Sequence, residues 1–230
     1  MNNEKAQPES QRLAQARECY ESSLEQYGST IDALMWSGEE SQQGRFEILM
    51  EIGDFDNASV LDVGCGFAHL CDLIESKYQN VSYTGLELTP TMAKAARERR
   101  QDIEIVEGSI SELDSERMWD YVVESGIFNI DCYDFELTAK TLQEMYQHAR
   151  KGVAANFLSR LSTGKFNETS SYFDPADLVK VASGLTRKFT LRHDYRANDF
   201  TLFLWRDEKS EGTENSPGEI RDQGIRRPKA

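Results

Sequence analysis

No apolar run in the 230 residues approaches the roughly 18 consecutive positions of a membrane-spanning helix. The first ten residues, Met1 to Ser10, lack both the basic start and the apolar stretch of a signal peptide. The four cysteines (Cys19, Cys65, Cys71 and Cys132) contain no C-x-x-C pair and no zinc-like spacing. Free thiols in a reducing compartment are therefore expected, with no metal site. Cations are short as well: 26 Lys+Arg against 40 Asp+Glu leave a formal net charge of −14. Binding a phosphate backbone or an anionic lipid surface relies on clustered Lys and Arg, so neither nucleic acid nor membrane is an expected partner. A soluble, acidic, cytoplasmic protein is the expectation. Its length suffices for one large α/β domain or two small ones, with a core that needs no staples.

Both ends are polar. Residues 1–11 and 207–230 carry too few apolar side chains to offset the entropy of ordering, and are expected to be disordered. Arg226, Arg227 and Lys229 make a short basic patch in the second of these. Residues 12–56 hold two helical patterns, about Leu13 to Tyr27 and about Gly44 to Ile52, with no strand before them. They either pad a sheet face or cap a ligand cleft. Residues 57–206 alternate strand and helix. Strands are expected at Ser59–Val63, Val81–Leu86, Ile103–Val106, around Tyr121–Val123 and at Val153–Leu158. Helices are expected at Phe67–Tyr78, Thr91–Arg100, Phe135–Arg150 (with Gly152 just past its end) and Pro175–Ser183. Two β runs, Lys188–Tyr195 and Phe200–Arg206, close the series as a hairpin. This order implies a Rossmann-like, doubly wound, seven-stranded sheet, parallel except for one strand of the C-terminal hairpin, with an N-terminal helical cap.

The stretch Val60-Leu61-Asp62-Val63-Gly64-Cys65-Gly66-Phe67-Ala68 is the most informative. Glycines 64 and 66 between strand and helix allow a tight turn and a ligand lying against backbone N–H groups. Glu87 ends the next strand, 21 residues beyond Gly66. A carboxylate there accepts from both hydroxyls of a ribose, so the spacing calls for an adenosine-type ligand. Asp62 stands two residues before the first glycine, where a pyrophosphate would be repelled and a ligand with an ammonium and a sulfonium would be welcome.

V-L-D-V-G-C-G-F-A followed by T-G-L-E-L-T-P-T-M-A-K-A-A resembles the class I S-adenosylmethionine-dependent methyltransferases, over about Ala58 to Arg206. The resemblance implies S-adenosyl-L-methionine as cofactor and S-adenosyl-L-homocysteine as product. It places Asp62, Gly64, Cys65 and Gly66 along the methionine part and Glu87 on the ribose. Leu88 and Met92 would pack on adenine, and Gly108, Ser109 and Ile110 would form the loop against that ring. Glu124, Ser125 and Gly126 would end the fourth strand beside the reacting methyl group. Two positions depart from the pattern: Ala68 replaces the usual third glycine, and Ser109 replaces the usual Asp.

Acceptor candidates follow from the carboxyl edge of the sheet. Methyl transfer is a direct displacement in which alignment matters most, and a base is needed only if the acceptor must lose a proton. His193 is the candidate base, with Tyr195 as orienting neighbour, and Asn129 joins them as a catalytic candidate. Asn156, Arg160 and Tyr172 are candidates for binding the acceptor, Arg160 as an anion hook. From the N-terminal segment, Trp36 and Arg45 are expected to fold over the cofactor, Arg45 on its carboxylate, while Tyr27 shuts out water on the acceptor side. The arrangement resembles small bacterial methyltransferases of unassigned acceptor.

The leading expectation is an enzyme methylating O or N of a small polar metabolite. A protein or carrier-bound acceptor is the alternative, and a cofactor-binding protein without turnover is a third reading. No Asn/Asp-Pro-Pro-Tyr signature of nucleobase amino methylation is present; Glu124-Ser125-Gly126-Ile127 stands in its place.

Overall fold

The computed structural model describes residues 7–164 and 166–207. The basic patch at 226–229 and the tail from 208 onward lie outside the described residues, as do residues 1–6. Strand β1 (Ser59–Val63) is followed by α3 (His69–Lys77), β2 (Ser82–Glu87), α4 (Pro90–Arg99) and β3 (Glu104–Glu107). Then come β4 (Trp119–Glu124), α5 (Phe135–His148), β5 (Ala149–Leu158), α6 (Pro175–Leu185), β6 (Phe189–Arg192) and β7 (Asp199–Trp205). Ahead of them lie α1 (Glu9–Tyr27) and α2 (Glu39–Leu49), joined through a short 3-10 turn at Ile31–Leu34.

The seven strands pair in the order β3-β2-β1-β4-β5-β7-β6, with β7 antiparallel to both its neighbours and every other pair parallel. The expected architecture therefore holds. Successive side chains of a strand point to opposite faces, and the sheet sorts its apolar residues accordingly. Leu61, Val122, Val153, Leu202 and Leu204 pack on one face under α5 and α6. Val60, Val123, Ala154 and Phe203 pack on the other under α2, α3 and α4. The two N-terminal helices divide the roles left open by the sequence. Helix α2 pads a sheet face through Phe46 and Leu49, and α1 lies over the carboxyl edge.

Three boundaries differ instructively. Helix α1 starts at Glu9, inside the stretch expected to be disordered, and its first turn is held when Lys140 donates to Glu9 and Arg12 to Asp134. Gly152 does not follow the end of α5. The helix stops at His148, and β5 begins at Ala149 because that residue already pairs with Trp119 of β4. Gly152 lies within β5, where an added Cβ would sit 2.9 Å from the Leu204 carbonyl oxygen across the strand pair. Strand β6 ends at Arg192, so the hairpin turn is longer than expected and carries His193 and Tyr195.

Candidate active site

A cleft opens at the carboxyl ends of β1 to β4, where the strand order reverses about β1. The sheet edge forms its floor. Its roof is made by Leu13, Ala16 and Tyr20 of α1 with Leu34 and Trp36 from the following turn. About 960 Å3 of atom-free space lies between floor and roof, part of it the open solvent at the mouth.

The glycine turn shapes the floor. Gly64 and Gly66 take left-handed φ values of 74° and 54°. A Cβ on Gly64 would collide with Ile127 Cγ2, and one on Gly66 would lie 2.7 Å from Leu34 Cδ2. Ala68 is also left-handed, at φ 59°, so the alanine in place of a third glycine carries backbone strain.

Three carboxyl groups are buried at this edge. The Tyr83 hydroxyl donates to Asp62 Oδ2 at 2.5 Å, leaving Oδ1 to the cleft. Burial pushes the Asp62 carboxyl up to about 7, against the Tyr83 hydrogen bond, with Glu87 pushing the same way as burial. Glu87 accepts from the Gly66 N–H at one oxygen and the Thr89 N–H at the other, both at 2.9 Å. Each oxygen keeps a second lone pair for a ligand hydroxyl. Burial raises Glu87 as well, while the Thr89 and Gly66 N–H groups hold it down. Glu124 is fully buried, pushed up to about 8 by burial, and turned back so that Oε1 accepts from the Ile127 N–H at 2.7 Å. It caps the short turn Ile127–Asn129 and does not line the cleft, contrary to expectation.

Leu88, Met92, Gly108 and Ile110 line one end of the cleft. Ser109 lines it too, but its hydroxyl is spent on Glu112 in a capping box. Cys65 lines the floor with its thiol raised well above the ordinary range by burial. Ser125 and Gly126 form the other end, and Trp36 covers Gly126 closely enough that a Cβ there would lie 3.3 Å from Cζ2.

Several expected site residues lie elsewhere. Arg45 is buried and donates both Nε and Nη2 to Asp199, at 2.8 and 2.7 Å, so it is not free for a ligand carboxylate. Tyr27 is exposed at the end of α1 and accepts from Gln26. None of His193, Tyr195, Asn129 or Asn156 lines the cleft. The His193 ring lies 5.9 Å from Phe200 with Nε2 sealed and unpaired, and the Asn129 Oδ1 is likewise sealed. Tyr195 and Asn156 both bond to Thr201. Arg160 and Tyr172 line a second, open groove, where Arg160 donates to the Tyr172 carbonyl.

Sequence reasoning missed Tyr20, Leu13 and Tyr133. The first two share with Ala16 an i, i+3, i+7 stripe that a helical wheel of α1 reveals. Tyr133 carried no signal. Among the described residues no cluster of three or more His, Cys, Asp or Glu could hold a metal ion, and no helix is long and apolar enough to cross a membrane.

Residues 60–152 match the family described as a methyltransferase domain. A Mycobacterium tuberculosis protein, Rv1506c, named as a methyltransferase with no acceptor given, is 30% identical over 159 residues, covering 65% of this chain and 93% of that one. The chain belongs to the class I S-adenosylmethionine-dependent methyltransferases. A malonyl-[acyl-carrier protein] O-methyltransferase of Priestia megaterium is 24% identical over 120 residues, 51% of this methyltransferase and 42% of that protein. Among solved structures, magnesium protoporphyrin IX methyltransferase from Synechocystis PCC 6803 with bound cofactor superposes with a TM-score of 0.63 at 13% identity. That match covers 85% of this chain and 97% of that one. A methyltransferase from Clostridium acetobutylicum superposes with a TM-score of 0.56 at 14% identity, covering 80% and 98%. These likenesses carry the fold. S-Adenosylmethionine is the methyl donor of the family.

Proposed function

We propose that this methyltransferase binds S-adenosylmethionine in the cleft beneath α1 and methylates O or N of a small polar metabolite. The observation that carries the reading is one continuous cleft with two buried acids on its floor, an apolar end at Leu88, Met92 and Ile110, and a polar end at Ser125. A cofactor with an ammonium and a sulfonium suits that floor, because buried carboxylates are stabilised by cations. Asp62 Oδ1 would take the ammonium, and the spare lone pairs of Glu87 would take the ribose hydroxyls. Gln42 lines the cleft one helical turn before Arg45, so its amide replaces the occupied guanidinium as candidate partner of the cofactor's carboxylate. Bound S-adenosylmethionine supplies a methyl group made electrophilic by sulfonium. The chain's part is to align the acceptor and, with Trp36 over Gly126, to exclude water.

The proposal assigns no general base. The earlier candidates His193 and Tyr195 lie outside the cleft lining, and a displacement of this kind needs alignment more than proton transfer. A carrier-bound acceptor is the second reading, favoured by the likeness to the malonyl-carrier enzyme. Calorimetric titration with S-adenosylmethionine and S-adenosylhomocysteine, followed by a labelled-methyl screen of metabolite pools, tests the proposal. Micromolar binding with a labelled small product is the expected result. Label on carrier protein alone would shift the assignment to the second reading, and absence of binding would overturn both.

A further inference from the structure

A chain of hydrogen bonds leads away from the polar end of the cleft. The Ser125 hydroxyl donates to Asn156 Oδ1 at 2.7 Å, and Asn156 Nδ2 donates to Thr201 Oγ1 at 2.7 Å. The hydroxyls of Thr201 and Tyr195 then meet at 2.8 Å. Asn156 and Thr201 are fully buried on the adjacent strands β5 and β7, where they face each other in register. Only Ser125 of this chain reaches the cleft.

The polarity of the chain has a chemical consequence. A serine hydroxyl has one hydrogen and two lone pairs. With its hydrogen committed to Asn156, Ser125 presents only lone pairs to the cleft. An acceptor group that offers only lone pairs of its own gains no hydrogen bond from them.

Resting on the proposed cofactor site, we infer that Ser125 is a specificity-determining residue that accepts a hydrogen bond from the group to be methylated. The acceptor then presents an N–H, as a neutral amine does: its lone pair attacks the methyl carbon as the C–S bond breaks, the product ammonium gives its proton to solvent, and a carboxylate is rejected. Asn156 is a positioning residue that acts through Ser125. Ser125 takes no proton, because the amide behind it cannot pass one on.

Sinefungin tests this without turnover, since it carries an ammonium-bearing carbon in place of the methyl-bearing sulfur. Wild-type protein is expected to bind sinefungin more tightly than S-adenosylhomocysteine by calorimetry. Ser125→Ala should lose about tenfold of that advantage, the usual worth of a hydrogen bond to a charged group, with S-adenosylhomocysteine affinity unchanged. Asn156→Leu, or Thr201→Val if the former does not fold, should lose several-fold by freeing the Ser125 hydroxyl to turn. Asn156→Asp, which still accepts from Ser125, should keep the preference. Malonate added to the S-adenosylhomocysteine complex should give no binding heat. An unchanged ratio in Ser125→Ala, full preference in Asn156→Leu and Thr201→Val, or tight malonate binding would each overturn the inference. Loss of S-adenosylhomocysteine binding in the wild type would instead sink the cofactor reading beneath it.

Discussion

Arg45 and Asp199 meet across 154 residues of chain as a bidentate pair with Asp199 fully buried, and the guanidinium lies 4.8 Å from the centre of the Trp36 ring. The pair joins α2 to the start of β7 and holds the indole that covers Gly126. Removing one partner leaves a buried charge unpaired. Asp199→Asn is therefore expected to cost about 3–5 kcal/mol in denaturant unfolding, and Arg45→Met with Asp199→Leu together much less. If Asp199→Asn unfolds like wild type, the pair does not brace the fold.

Glu87→Gln keeps the shape of the side chain and one acceptor for the surrounding N–H groups. It removes the charge and half of the lone pairs a ribose would use. S-Adenosylhomocysteine affinity is expected to fall by about tenfold or more, with the melting temperature nearly held. Equal affinities by calorimetry would remove Glu87 from the cofactor site.

The buried acids set a pH dependence with a definite sign. Asp62 moves from 3.8 to about 7 and Glu124 from 4.5 to about 8 on folding. A raised folded value means the native state holds its proton more tightly. The stability it brings is complete below the unfolded values and is lost as pH rises through 7 and 8. Without ligand, the melting temperature should fall from pH 5 to pH 8.5, and Asp62→Asn should flatten part of that slope. Cofactor affinity should run the other way, strengthening as Asp62 ionises near pH 7. A melting temperature that climbs across this interval contradicts the burial argument.

Gly126 has a φ of 115° and lies against Trp36. Gly126→Ala is expected to cost about 1–3 kcal/mol through backbone strain and to push the indole outward. Acrylamide quenching of tryptophan fluorescence should rise relative to wild type. Unchanged quenching would show that the contact is not close in solution.

The glycine-turn part of the cleft was legible because it is local: a strand, a glycine turn and a carboxylate on the next strand leave a pattern within thirty residues. The alternation of strands and helices that implies a doubly wound sheet was legible for the same reason. The polar end was not, because its parts come from distant segments. Arg45 looked available because nothing near it in the chain announces Asp199. Asn156 looked like an acceptor ligand because its partner Ser125 lies in the turn after β4, distant in sequence. Glu124 follows Asp62 and Glu87 at the end of a strand, yet the N–H of Ile127 turns it inward. Gly152 read as a helix stop because the sequence does not show that Ala149 already belongs to the sheet.

The roof of the cleft uses a fastening that the floor does not. The floor rests on close-packed apolar side chains. Helix α1 seats Ala16, with Leu13 and Tyr20, on the apolar core and adds polar ties: Arg12, itself buried, to Asp134, and the more exposed Lys140 to Glu9 and Arg17 to the Leu88 carbonyl. Surface ion pairs weaken as dissolved salt screens them, whereas apolar packing does not. Raising ionic strength should therefore loosen the exposed ties and hasten the escape of a bound molecule from under the helix, while the apolar seat of α1 leaves the melting temperature almost untouched, so the buffer would act as a throttle on exchange.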